Sequence, residues 1–263
     1  MGIALLLSEG TRLGDPAPQV GEEEVLGEAL ALTRKAEGRL VVADFAPRHV
    51  ERLQVFLEVA RETGRRLALQ PKDAFLLEAL AQASPLFQGV LQDPHLALYD
   101  DVKTSPRPWE KGVRERWAKV LVGPEEVARD PGGYILAFSL WDLNDLLDLP
   151  EESLREGLYL YANSPAYDEE AALDLERLRG WVRHLGLRLE GDPEGRTSRL
   201  HASGHAGEAD LVALVREVRP QVLIPVHTES PGRWREVLGE LGGTRVFLPQ
   251  EGERVDLEGL LRG

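Results

Sequence analysis

Short apolar runs alternate with longer amphipathic stretches along almost the whole chain, and this alternation limits its architecture more than any other feature. Leu40-Val41-Val42-Ala43-Asp44-Phe45, Arg66-Leu67-Ala68-Leu69, Leu158-Tyr159-Leu160-Tyr161 and Val222-Leu223-Ile224-Pro225-Val226 are apolar on both phases of the strand repeat, as strands covered on both faces are. The segments between them carry helical spacing. Asp168 to Leu185 places Leu173, Leu175, Leu178, Trp181, Val182 and Leu185 on one stripe and stops at Gly186. Strand and helix in turn predict an α/β protein with a largely parallel sheet.

Helices are predicted from Glu22 to Gly38, from Pro47 to near Gly64, and onward from Asp73. Between Ser84 and Trp117 periodicity weakens around prolines 85, 94, 106 and 108, leaving a strand at Leu96–Tyr99 and a helix near Glu110–Trp117. Strands at 119–122, 134–138 and 158–161 complete a doubly wound unit, with Leu140–Leu147 helical. Later come strands at Leu187–Leu189 and Leu200–Ala202, a helix at Glu208–Val218, the strand Val222–Val226, a helix at 232–241, a strand at 245–247 and a tail helix at 257–261.

The opening strand has no partner within the doubly wound unit. Gly14-Asp15-Pro16-Ala17-Pro18 marks a crossing out of the unit that strand belongs to. The expected organisation is therefore one interrupted domain, residues 1–20 and 166–263, carrying an insertion over 21–165.

Composition narrows the chemistry. The 263 residues include no cysteine, so disulfides, thiolate metal sites and cysteine nucleophiles are excluded and any metal must be held by His and carboxylates. The net charge of −14 weighs against nucleic-acid binding by the protein as a whole, because phosphates are held by Lys and Arg. A local cationic track is still compatible with it. No apolar run approaches a membrane span, and Met1 to Leu7 reads as a buried strand rather than a leader, so a cytoplasmic protein with no membrane partner is expected.

Polar groups gather at three predicted strand ends, where α/β folds place their sites. At Ser203-Gly204-His205, a turn running into a helix at Glu208 can bring backbone N–H groups, the Ser203 hydroxyl and the His205 imidazole onto an anion. It is equally an ordinary Gly-rich turn whose histidine satisfies local bonds. His227 ends an apolar strand, a position that suits a metal ligand but is more often structural. Glu9 ends the opening strand as either a solvated acid or one that orients a neighbouring imidazole.

Taken together, Ser8-Glu9-Gly10-Thr11, Ser203-Gly204-His205 and Ile224-Pro225-Val226-His227-Thr228-Glu229 resemble the accessory motifs of the β-CASP ribonucleases, the family of ribonuclease J and of the nuclease that processes mRNA 3′ ends. Phe45-Ala46-Pro47-Arg48-His49-Val50-Glu51-Arg52 is similar to the opening of that family's inserted nucleic-acid-binding domain, with Pro47 and Arg48 departing from the small polar residues found there. The resemblance implies the second half of a metallo-β-lactamase αββα fold with an inserted doubly wound β-CASP domain. It implies zinc-dependent RNA hydrolysis in which Ser203, Gly204 and His205 bind the scissile phosphate. Glu9 and His205 manage the proton on the leaving oxygen, and His227 ligates one of two zinc ions. His201 is assigned a structural role.

The family's His-x-His-x-Asp-His zinc signature is absent from this sequence. One imidazole cannot hold two zinc ions, so little or no zinc is expected in this chain alone. The expected partners are RNA and a missing first half or complementary catalytic subunit, with self-association also open. The competing reading is a non-catalytic RNA-binding or scaffold subunit that keeps the fold. RNA is favoured over DNA by family likeness alone, through the histidine at 227.

Overall fold

The computed structural model describes residues 2–16, 19–46, 48–103, 105–166, 168–191, 199–239 and 243–262. The chain divides into two compact units, residues 1–19 with 203–263 and residues 20–202.

In chain order, β1 (Leu5–Glu9) precedes α1 (Glu22–Lys35), β2 (Val41–Asp44), α2 (Val50–Thr63), β3 (Arg66–Leu69) and α3 (Pro71–Ala83). Then follow α4 (Pro85–Leu91), β4 (Leu96–Tyr99), α5 (Pro108–Arg116), β5 (Leu121–Val122), α6 (Pro124–Arg129) and β6 (Tyr134–Ala137). A 3₁₀ segment over Leu140–Asp148 leads to α7 (Glu151–Leu154), β7 (Leu158–Tyr161), α8 (Glu169–His184) and β8 (Arg188–Glu190). The last elements are α9 (Glu208–Val218), β9 (Val222–Val226), α10 (Arg233–Leu238), β10 (Arg245–Val246) and α11 (Leu257–Arg262).

Residues 20–202 hold a seven-stranded sheet in the order β5-β4-β3-β6-β2-β7-β8, with every pair parallel. Successive residues of the central strands serve opposite faces. Val41, Ala43, Leu67 and Leu69 join one core with α2 residues Phe56 and Ala60, while Val42, Ala68, Leu136 and Tyr159 join another with Leu175, Leu178 and Val182 of α8. This explains why these strands read as unbroken apolar runs. Local signals set the helix ends. Glu22, Glu23 and Glu24 open α1 and Arg34 and Lys35 close it, matching the helix dipole, and Gly64 ends α2 at φ 68°.

The fully buried Arg52 ties α2 to both ends of this unit. Its guanidinium pairs with Glu22 at 2.9 and 3.1 Å and donates to the carbonyls of Ala162 and Leu200 at 2.6 Å each. Val20 and Ala202, the first and last residues of the unit, share a small apolar cluster with Val25 and Val55.

The other unit holds a three-stranded parallel sheet, β1-β9-β10, in which Leu5 faces Val222 and Glu9 faces Val226. Leu223 packs on one face with Leu13, with Leu211, Val212 and Val215 of α9, and with Trp234 and Leu238 of α10.

Two expectations are corrected. The segment from 166 to 202 does not accompany the later strands: β8 pairs with β7 through Leu158–Arg188, Tyr159–Leu189 and Leu160–Glu190, and α8 is the crossover helix a parallel pair requires. The unit boundary accordingly falls after Ala202 instead of near 165. Leu200–Ala202 is not a strand, because Leu200 is buried at the end of the unit with its carbonyl taken by Arg52. Part of the proline-rich crossing, 17–18, and most of the Gly/Pro turn, 192–198, lie outside the described residues.

Candidate active site at the ends of β1 and β9

Parallel pairing of β1 and β9 brings Glu9 and Val226 side by side, so the residues following each strand emerge from the same edge. The turn preceding α9 completes the group. His205 Nδ1 lies 2.5 Å from Glu9 Oε2, and the Ala206 N–H donates to Glu9 Oε1 at 3.3 Å. The Thr11 hydroxyl lies 2.9 Å from Glu9 Oε2 and 3.0 Å from the His227 carbonyl oxygen, joining the acid to the end of β9.

Burial pushes the Glu9 carboxyl upward, but the bonds from Thr11, Ala206 and His205 outweigh it and hold the group below its ordinary value of 4.5. Glu9 therefore stands as a carboxylate at neutral pH. With Nδ1 occupied by that carboxylate, the direction of the His205 ring is set and Nε2 is left to face outward. His205 is half exposed, so the second nitrogen is accessible.

The anion cradle differs in one respect from the expectation. Two of its backbone donors already have acceptors: the His205 N–H bonds the Ser203 hydroxyl oxygen at 3.2 Å and the Ala206 N–H bonds Glu9. The Glu9 carboxylate is thus the anion held by the turn. A further anion would meet His205 Nε2 and the Ser203 O–H, which remains able to donate. Gly204 is exposed, with open space where a Cβ would stand.

His227 is exposed and carries φ 49°, the left-handed region that a non-glycine residue enters at a cost. The Thr11 bond to its carbonyl helps hold that conformation. Among the described residues no group of three or more His, Asp or Glu side chains is arranged to hold a metal ion. His227 and its surroundings therefore do not by themselves fit a zinc site.

The base beneath this edge is tightly built. A Cβ on Gly10 would stand 2.9 Å from Trp234 Nε1 and 3.0 Å from Thr228 Cβ, and one on Gly207 would stand 2.3 Å from Gln19 Oε1. Glu208, in the first turn of α9, accepts from the Gly14 N–H at 2.9 Å and from Arg233 at 3.0 and 3.1 Å, fastening the turn after β1 to α9 and α10. Thr11 had been noted only as part of a motif. A hydroxyl residue two places after an acid at a strand end was the available signal for its role.

Residues 194–248 match the family described as the Zn-dependent metallo-hydrolase RNA specificity domain, a span that includes Ser203, His205 and His227. The chain is 23% identical over 273 residues to ribonuclease J of Pyrococcus abyssi, covering 100% of this chain and 55% of the relative. It is 25% identical over 236 residues to ribonuclease J of Mycolicibacterium smegmatis, covering 90% and 38%, and 23% identical over 264 residues to ribonuclease J2 of Bacillus subtilis, covering 98% and 43%. The chain spans about half or less of the length of these curated relatives. With its parallel α/β architecture and these matches, the chain is similar, over part of their length, to the β-CASP metallo-β-lactamase-fold ribonucleases of the ribonuclease J type.

Proposed function

We propose that this chain supplies the phosphate-gripping part of a zinc-dependent RNA phosphodiester hydrolysis site, on a metallo-β-lactamase-type portion that carries a β-CASP domain. The Glu9–His205 hydrogen bond at the end of β1 carries the reading. The carboxylate on Nδ1 orients the ring so that Nε2 is aimed at a phosphate oxygen or at the leaving oxygen, the placement a general acid needs. Ser203 adds a hydroxyl donor beside it.

His227 is proposed as one zinc ligand of a two-zinc site whose remaining ligands come from a complementary polypeptide bearing His-x-His-x-Asp-His. Exposed apolar side chains in β1 and just before it support such a partner. Ile3 is 48% and Leu7 60% exposed, leaving apolar surface for another segment or a second copy to cover. A second reading, a non-catalytic RNA-binding or scaffold subunit, is favoured by the same shortage of ligands.

Labelled RNA incubated with zinc and the chain, with and without a polypeptide carrying the first half of the fold, separates the two. Expected are no turnover and only weak zinc binding by the chain alone, and turnover in the mixture. His205→Ala should lower turnover roughly 10²–10⁴-fold. His227→Ala should be partly rescued by excess zinc, and His205→Ala should not. Turnover or tight two-zinc binding by the chain alone would sink the half-site reading, and an inert mixture that still binds RNA would favour the scaffold.

A further inference from the structure

The net charge of −14 is unevenly spread along the chain. Residues 139–176 hold eleven Asp and Glu against Arg155 alone, a balance of −10, which leaves −4 for the other 225 residues. Part of this acid is used internally. Asp142 bonds Lys72 and accepts from the Ser139 N–H and hydroxyl, and Asp145 accepts from Gln70. Glu151 pairs with Arg155, Asp174 with Arg177 and Glu176 with Arg179. Asp148, Glu152, Glu169 and Glu170 are exposed, and none of the four enters an ion pair among the described residues.

Large apolar side chains stand open among these acids: Trp141 is 64%, Leu147 55% and Leu173 67% exposed. Positions three apart eclipse in a 3₁₀ helix, so Trp141, Asn144 and Leu147 form one outward stripe of the Leu140–Asp148 segment, about 12 Å from end to end. Leu143 and Leu146 of the same segment share a core with Leu175, Leu178 and Val182 of α8, which sets segment and helix on one face of the sheet. Their outward surfaces meet where the Arg177 guanidinium stands 5.2 Å from the centre of the Trp141 ring. Leu173 is one turn before Arg177 on α8, and Glu169 and Glu170 are one turn before Leu173.

We propose that this surface docks a basic amphipathic helix of a partner protein, with apolar side chains seated on Trp141, Leu147 and Leu173 and Lys or Arg side chains set against Asp148, Glu169 and Glu170. The stripe of about 12 Å matches two turns of an α-helix, about 11 Å, so anchors seven positions apart reach both of its ends. Charge selects the occupant. The unpaired carboxylates repel RNA phosphates, and a second copy of the chain seated face to face would bring like charges together. A cationic segment gains from the same carboxylates, and the exposed ring and leucines give it anchors that a merely solvated acidic surface would not carry. The proposal goes beyond hydrolysis and uses no residue of the Glu9–His205 site.

The test is fluorescence anisotropy on the full chain with a labelled helical peptide of about 18 residues, leucine and lysine in amphipathic order, and with its leucine and glutamate counterpart. The lysine peptide is expected to bind and the glutamate peptide to be inert. Trp141→Ala should weaken binding roughly 5–30-fold, the range for losing an aromatic anchor, and Trp141→Phe should retain most of it, which separates loss of the ring from loss of the fold. Leu173→Ser should weaken it as well, while Leu86→Ser, at a leucine of the same 67% exposure on α4, should change nothing. Asp148→Asn with Glu169→Gln should flatten the fall of the association rate with added salt. The proposal is overturned if Trp141→Ala and Leu173→Ser both bind the lysine peptide like the parent, or if the glutamate peptide binds as well. Dimerisation of the chain, or binding of labelled single-stranded RNA, that is lost in Trp141→Ala would assign the surface to another occupant and overturns it too.

Discussion

Glu9 and His205 are 196 positions apart in sequence and in direct hydrogen-bond contact in space. The contact depends on the parallel pairing of β1 with β9 and on the fastening of the turn after β1 to the start of α9.

That carboxylate makes the stability of its unit pH-dependent. Burial raises the Glu9 carboxyl, but the Thr11, Ala206 and His205 bonds together lower it by more, so its folded value is below the unfolded one. The contribution is present above the unfolded value of 4.5 and is lost as pH falls through the lower folded value. Thermal unfolding between neutral and acid pH should show this loss, and Glu9→Gln should remove it. Thr11→Val, which deletes one donor, should move the loss to higher pH, while Thr11→Ser should leave it in place.

Residues 20–202 should respond in the opposite direction. Burial pushes Asp44 to about 7 against the bonds from Tyr159 and Asn163, with Asp142 adding to the rise. Asp73 is also pushed to about 7, again chiefly by burial. An acid that holds its proton more tightly when folded contributes most below its unfolded value near 3.8, and this is lost as pH rises through about 7. Urea unfolding at a series of pH values should therefore show this unit weakening from mildly acid to neutral pH. Asp44→Asn should reduce the pH-dependent part by roughly half, since Asp73 still titrates; an unchanged profile would contradict the assignment.

Replacing Arg52 should be costly. Arg52→Met leaves the Ala162 and Leu200 carbonyls without their donor and Glu22 without its cation. Glu22 is about a third exposed and can be rehydrated, which tempers the penalty. A loss of about 2–4 kcal/mol is expected, read as a lower urea midpoint at unchanged slope.

Gly10 and Gly204 should separate cleanly. Gly10→Ala drives a methyl against Thr228 and the fully buried Trp234 and should cost about 1–3 kcal/mol. Gly204→Ala meets nothing within 4 Å and should stay within about 0.5 kcal/mol of the parent. Thermal melts of the two variants decide it.

Much of the architecture was legible because the central strands are covered on both faces. The predicted strands at 66–69, 96–99, 158–161 and 222–226 coincide with the observed ones. Which sheet a strand joins was less legible. Arg188–Glu190 is a short edge strand, and nothing in its own residues says that it lies beside Leu158–Leu160. The helices α4 and α6 were missed although both start with proline and α6 has Glu126 closing back on Gly123, so their signals were local and present. In the site, Glu9, His205 and His227 could be singled out as polar residues at strand ends. The bond from the Ala206 N–H to Glu9 could not be, because it depends on how two remote segments meet.

Val20 and Ala202 touch the same few side chains, so the seven-stranded unit leaves and rejoins the chain at neighbouring points. A module whose two ends coincide behaves as a cassette. It can lengthen, shrink or be exchanged during descent without altering the pairing of β1 with β9, so the strand register that brings Glu9 to His205 is insulated from whatever the cassette evolves to grasp.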